Sequence, residues 1–345
     1  MSSAARTRCI ATEEAFVIPE LSKAMATLVS ASSGYDPDLY FWQRASSAKV
    51  LAGRLLDLDE ERLTIMDAQG IDMHVLSLAA PGVQMLKAAE AVAIARSAND
   101  HLAAAIARHP QRYAGLATVA PQAPQEAARE LERAVRQLKL HGVLINSHTD
   151  GEYLDEPKYR PILEAAAALK TPIYIHPRAP IPAMAAAYRK YTLEHAIWGF
   201  QAETGLHGLH LIVSGLFDQL PDLRIVLGHG GEGLPYWLSR IDTMHRQFQV
   251  AERPALHRRP SEYFREHFTV TTSGMNWAPA LRLCIDALGA DKVLFAIDYP
   301  FQDSAEALAG FNAAKLSAEE RGAILHRNSE RVFGIAAARA TAPPP

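Results

Sequence analysis

Cysteine is scarce in this chain: two among 345 residues, Cys9 and Cys284, each inside an apolar run. Thiols so placed exclude a disulfide framework and a thiolate zinc cluster, and they predict reduced packing residues in a cytoplasmic protein. An excess of charge of one sign is also missing. The formal net charge is −3, with acids and bases interleaved, so neither a nucleic-acid binder nor a protein docked on an anionic membrane is expected. No apolar run approaches bilayer-spanning length, and the leading "MSSAARTRC" has no apolar core of the secretory kind. No GxGxxG follows an early strand, which weighs against a dinucleotide fold.

What is present is core-forming material. The chain is 49% hydrophobic and 21% charged, which predicts a sizeable core rather than disorder. Short apolar runs read as strands at Arg8–Thr12, Met73–Leu78, Tyr113–Val119, Gly142–Asn146, Pro172–His176, Arg224–Gly228, Phe268–Thr272 and Val293–Ile297. Between them, Ala88–Arg108 and Pro124–Leu140 repeat apolar residues at helical spacing. Runs apolar on both faces and separated by helices suggest a parallel sheet covered on both sides. Eight such units fit an α/β fold of the (β/α)8 TIM-barrel type, expected as one domain over residues 1–335. The tail 336–345, "AAARATAPPP", is low in complexity and expected to fray. The stretch from Pro19 to Glu61 breaks the regular spacing with "SASSGYDPDLYFWQRASS", a long insertion after strand one. A lid and a surface excursion without special function both remain open for it.

In a barrel, chemistry sits at the C-terminal ends of strands. Strand one is followed by Glu13 and Glu14, strand four by Asn146 and His148. Strand five ends at His176 in "PIYIHPR", strand six at His229 in "IVLGHGGE", and strand eight at Asp298 in "FAIDYPF". Each alone has an ordinary explanation, such as a strand end entering solvent or a Gly-rich turn into a helix. Together they converge above the barrel axis, where a divalent cation would satisfy carboxylate, imidazole and carboxylate. Both faces of a barrel strand are buried, so alternation does not choose between Glu13 and Glu14.

"IVLGHGGEGLPYWLSRID", "PIYIHPR", "FAIDYPF" and "HRNSERVFGI" resemble the metal-dependent decarboxylase branch of the amidohydrolase superfamily, which includes aminocarboxymuconate-semialdehyde and hydroxybenzoate decarboxylases. "TEEAF" is similar to the first-strand motif of the ortho-hydroxybenzoate decarboxylases, where much of the superfamily has His-x-His; Ala15 stands at the second ligand position and cannot coordinate. The resemblance implies a metal held by Glu13, His176 and Asp298. Two oxygens to one nitrogen favour Mn2+ or Mg2+, with Zn2+ as the alternative. It further implies one ion per chain, no organic cofactor, Asp298 as proton donor, and a His229–Glu232 dyad facing the substrate. Phe301 matches a ring-packing position, while Asn146, His148, Arg178 and Arg54 are weaker candidates for substrate contacts. The expected reaction is non-oxidative decarboxylation of an ortho-hydroxybenzoate to the phenol and CO2, with the reverse direction open. A lactone or amide hydrolase is the alternative, disfavoured by Ala15, and a barrel retained only for binding is a third. The aromatic segment Tyr188–Leu211 suggests the interface of a homodimer or homotetramer.

Overall fold

The computed structural model describes residues 6–248, 250–251 and 253–337, so most of the expected C-terminal tail lies outside the described residues. Its strands are β1 (Ile10–Phe16), β2 (Met73–Leu78), β3 (Tyr113–Gly115), β4 (Ala117–Thr118), β5 (Val143–Asn146), β6 (Ile173–His176), β7 (Ile225–Leu227), β8 (Phe268–Thr271) and β9 (Val293–Leu294). All pair in parallel, in the orders β1-β2-β3 and β4-β5-β6-β7-β8-β9. β3 and β4 are two halves of one strand. Leu116 N–H turns to Leu76 on one side at 2.8 Å, and Ala117 N–H to Gly142 on the other at 2.8 Å. Counted so, eight strand positions alternate with helices, as in a (β/α)8 barrel.

Period-two alternation fills the barrel. Ile10, Met73, Val75, Ala114, Leu116, Leu144, Tyr174, Val226 and Leu294 form one buried cluster, closed at the N-terminal end by Phe333 and Ile335. The other strand face packs on helices. The longest helix, Ala88–Arg108, turns Ala91, Ala95, Ala98, Leu102 and Ala105 inward, the face expected from its spacing. It lies so close to β3 that a Cβ on Gly115 would stand 2.6 Å from Leu102.

Strands one and eight differ from the sequence expectation, and both differences reach the site. β1 continues to Phe16, so Glu13 and Glu14 lie inside the strand rather than after it. A bulge explains this: Ala11 pairs with His74 and Glu14 with Leu76, so Thr12 and Glu13 together oppose Val75. Beyond the bulge the alternation reverses, turning Glu13 into the barrel and Glu14 out of it. β9 stops at Leu294 instead of Ile297, because Phe295 N–H leaves the ladder for Ile324 C=O at 3.1 Å. The seam between β9 and β1 is then stitched by Ala15 N–H to Tyr299 C=O at 2.7 Å, Thr12 Oγ1 to Phe295 C=O at 2.9 Å, and the Glu14 side chain.

The insertion is helical: Pro19–Ala31, Pro37–Ser47 and Lys49–Leu56, the first two opening on proline. It is latched to the exit of β6 by Asp38, whose carboxylate takes two guanidinium N–H groups of Arg178, at 2.9 and 2.5 Å, and Ala179 N–H at 3.0 Å. Both side chains are buried, so removing either partner costs about 3–5 kcal/mol.

The loop after β5 is tied down by two buried histidines. His148 accepts Gly151 N–H and faces Ala179 C=O at 3.0 Å; His207 Nε2 accepts Leu154 N–H at 3.1 Å. Burial holds His148 down at about 4, helped by Arg178, and His207 at about 3. An unfolded histidine titrates near 6.5, so below that pH the unfolded chain takes up protons that the folded chain refuses. Stability is therefore present above pH 6.5 and lost on acidification, by ~1.4 kcal/mol per pH unit for each group. Urea unfolding from pH 6.5 to 4.5 should show this slope, and His148→Gln and His207→Gln should each flatten it; equal slopes in wild type and variants would refute it.

Candidate active site

The barrel floor is apolar up to Tyr174, and a layer of polar groups begins above it. Tyr174 O–H and Thr271 Oγ1 (3.0 Å) both donate to Glu13 Oε2. Gly228, at the end of β7, leaves room for this carboxylate: a Cβ there would come within 3.0 Å of Oε2 and 3.1 Å of Oε1. Glu13 is 2% exposed, and its Oε1 has no hydrogen-bond partner. An orphaned carboxylate oxygen in a barrel core is costly unless a cation or donor meets it. The groups aimed at it are His176 Nε2 at 3.4 Å and His229 Nε2 at 3.6 Å.

His176 ends β6 and shares the inward face with Tyr174, two residues earlier. Its Nδ1 lies 2.8 Å from Pro177 C=O, which fixes Nδ1 as the protonated nitrogen and leaves the Nε2 lone pair for the centre. Burial lowers its pKa and keeps the ring neutral. Ligand atoms of Glu13, His176 and Asp298 lie within 4.8 Å of one another, so the three side chains fit a single divalent ion. Asp298 is held in left-handed backbone, φ 77°, rare for a residue with a side chain. Burial, then the Glu13 carboxylate, raises its carboxyl well above the usual range.

The stretch "GHGGEG" runs as a Gly-rich turn into the helix Leu234–Gln247, and it also pairs its two polar residues. His229, Gly230, Gly231, Glu232 and Gly233 have φ of 48°, 67°, 73°, 55° and 77°, a left-handed turn that the glycines make affordable. It folds Glu232 back so that Oε1 lies 2.9 Å from His229 Nδ1, pairing the two as expected. Burial alone would pull His229 down; Glu232, Glu13 and Asp298 outweigh it and push it up to about 10. The imidazole therefore stands as a donor toward the cavity.

The weaker candidates separate. Asn146, in register with His176, faces inward with Oδ1 buried and unpartnered, its backbone held by Gln84 at 2.7 and 2.8 Å. Phe301 joins Phe41 of the insertion at 5.8 Å, and Phe41 meets Phe200 and His195 at 5.7 Å each, an aromatic wall beside the mouth. His148 is occupied on both ring nitrogens, and Arg178 is the latch for Asp38. Arg54 pairs with Glu61 at 2.8 Å on the half-exposed outer side of the insertion. Sequence reasoning missed Tyr174, Thr271, Asp38 and Phe41. Tyr174 had a signal, standing two residues before His176 on the same strand face; Asp38 and Phe41 meet their partners only through the fold.

A family model described as amidohydrolase matches residues 35–335. The chain belongs to the amidohydrolase family. Among curated relatives of this amidohydrolase, the gamma-resorcylate decarboxylase of a Rhizobium species is 39% identical over 334 residues, covering 94% of this chain and 98% of the relative. The crystal structure of 5-carboxyvanillate decarboxylase from Sphingomonas paucimobilis matches with TM-score 0.93 and 42% identity, over 96% of this chain and 100% of that one. A 5-carboxyvanillate decarboxylase from Novosphingobium aromaticivorans, solved with manganese and 4-hydroxy-3-methoxy-5-nitrobenzoic acid, matches with TM-score 0.91 and 38% identity, covering 95% and 96% of the two chains. Among the described residues, no helix is long and apolar enough to cross a membrane.

If the orphaned oxygen awaits a cation, Glu13→Ala should lower manganese affinity by more than the ~10-fold that losing a group supporting a ligand already costs. Tyr174→Phe, which leaves the ligand set intact, should cost less. Isothermal titration with Mn2+ reads both. Equal manganese binding by wild type and Glu13→Ala would rule the site out.

Proposed function

We propose that this amidohydrolase is a non-oxidative carboxy-lyase that converts an ortho-hydroxybenzoate-type acid to the phenol and CO2. The observation that carries the reading is the bare, buried Glu13 oxygen facing two imidazoles and a raised carboxyl. Three protein ligands suit a site that must leave positions open for substrate, and Ala15 withholds a further one. Manganese is the favoured ion, given two oxygen donors to one nitrogen and the relative solved with it. When bound, the ion supplies Lewis acidity and a point at which a carboxylate and its ortho hydroxyl can chelate together.

The protein's own groups carry the rest. His229, kept protonated by Glu232, donates a hydrogen bond to the substrate's oxygens and opposes their negative charge. Asp298 is the acid: its buried carboxyl, set beside Glu13, has a raised affinity for a proton, and when it carries one that proton passes to the ring carbon that bears the carboxylate. The bond from that carbon to the carboxylate then breaks, its electron pair returns to the ring, CO2 leaves, and solvent reprotonates Asp298. The Phe301–Phe41 wall gives the ring an apolar face and limits water. Asn146 offers an unpartnered acceptor for a ring hydroxyl.

Wild-type protein with Mn2+ should release CO2 and the matching phenol from at least one acid among salicylate, 2,3- and 2,6-dihydroxybenzoate, 5-carboxyvanillate and hydroxynaphthoates. Turnover of lactones with no CO2 from any of these would favour the hydrolase alternative. Asp298→Asn keeps an oxygen for the metal but no titratable proton, so kcat should fall ~10²–10⁴-fold. A near wild-type rate in that variant with full metal would move the acid to His229 or to water.

Assembly belongs to the same proposal. Within the expected interface segment, Tyr191, Ile197 and Trp198 are 67%, 68% and 56% exposed, and the neighbouring helix Leu234–Gln247 adds exposed Tyr236 and Trp237. Large apolar side chains in such number suit an interface core between two copies. Light scattering at micromolar concentration should give at least a dimer, and Trp198→Asp with Ile197→Asp should shift it toward monomer. A monomeric wild type would remove the argument. Two buried, free cysteines accord with a reducing, cytoplasmic setting.

A further inference from the structure

Glu14 is fully buried and belongs to neither the ligand set nor the acid–base pair. Its carboxylate is nevertheless committed. Oε1 accepts Ile297 N–H at 3.0 Å, and Oε2 accepts Tyr299 N–H at 2.9 Å, so the two oxygens bracket Asp298. Glu13 N–H adds a longer contact to Oε1 at 3.4 Å.

The geometry of the backbone makes this arrangement unusual. In an extended strand, N–H groups two residues apart are separated by ~6.6 Å, about twice the rise per residue, which one carboxylate bridges only through strongly bent hydrogen bonds. They reach a single carboxylate here because Asp298, with φ 77°, curls the chain between them. A left-handed aspartate persists only when its surroundings hold it. The Glu14 carboxylate supplies that hold from the next strand, and the bulge in β1 that turns Glu13 inward is what turns Glu14 toward Asp298's backbone.

We propose that Glu14 is the positioning residue of Asp298: its two hydrogen bonds maintain the left-handed turn that aims the Asp298 carboxyl at Glu13 and His176. The adjacent carboxylates of β1 then divide the work, Glu13 facing the reacting centre and Glu14 orienting, from outside the barrel wall, the carboxyl that meets it. The catalytic half of this inference rests on the decarboxylase reading; the geometric half does not.

The test compares Glu14→Gln with Thr12→Val. The amide retains one acceptor and sets an N–H2 against a backbone N–H, while Thr12→Val removes the other side-chain stitch of the same seam without touching Asp298's neighbours. Each protein is loaded with Co2+, whose visible absorption reports ligand geometry independently of turnover, and assayed on whichever acid wild type decarboxylates. Glu14→Gln is expected to alter the cobalt spectrum and lower kcat at least ~10-fold with KM within ~3-fold, a loss in the range that misplacing a reacting group by a fraction of an ångström produces. Thr12→Val should lose thermal stability yet keep the wild-type spectrum and rate. A wild-type spectrum and rate in folded Glu14→Gln overturns the proposal, as does an equal change in both variants. If Glu14→Gln does not fold, Glu14→Asp is read in the same way, and failure of both to fold would make Glu14 a structural clasp and end the proposal. Should wild type decarboxylate nothing in the panel, the decarboxylase reading fails while the cobalt comparison still decides the role of Glu14.

Discussion

A bulge of one residue in β1 is the constraint from which the site follows. Without it, Ile10, Thr12 and Glu14 would share the inward face, and Glu13 would lie among the helices. With it, Glu13 enters the barrel above Tyr174, and Glu14 enters the seam against β9. One extra residue thus gives two neighbouring, chemically identical side chains opposite surroundings. Glu14 meets backbone donors and closes the barrel; Glu13 is left with one satisfied and one bare oxygen.

The bare oxygen organises the electrostatics. Glu13, Asp298 and Glu232 gather around two imidazoles in a space with little water, where each carboxylate strengthens the others' hold on protons or cations. The two histidines are differentiated by what touches Nδ1. His176 faces a carbonyl and keeps a free Nε2 lone pair toward the centre, while His229 faces the Glu232 carboxylate, which favours its cationic, donating form. The same side chain is given two tasks by one hydrogen bond each.

The insertion after β1 completes the mouth through an ion pair rather than through apolar packing alone. Asp38 reaches across to Arg178, two residues beyond His176, so the helices that carry Phe41 are referenced to the strand that carries the proposed metal ligand. This explains why Arg178, which has the look of a substrate-binding residue, has its guanidinium already engaged. It also fixes the insertion as helical structure at the mouth, where the sequence left lid and excursion equally open.

Much of the architecture was legible because it rests on local pattern. Alternating apolar runs, the alanine stripe of Ala88–Arg108 and the polar residues at successive strand ends all follow from period and composition, and they pointed to a barrel with Glu13, His176, His229 and Asp298 at its mouth. Glu232 could be paired with His229 because only glycines intervene. The choice between Glu13 and Glu14 depended on a bulge, which is a property of pairing between strands and leaves no mark in a strand's own residues. The partners of Arg178, His148 and Phe301 depended on contacts between segments more than a hundred, thirty-one and two hundred and sixty residues away. The sequence by itself determined which residue types stand at the ends of which strands; the closed barrel decided which way each one faces and what it touches, because only closure brings the first strand against the last.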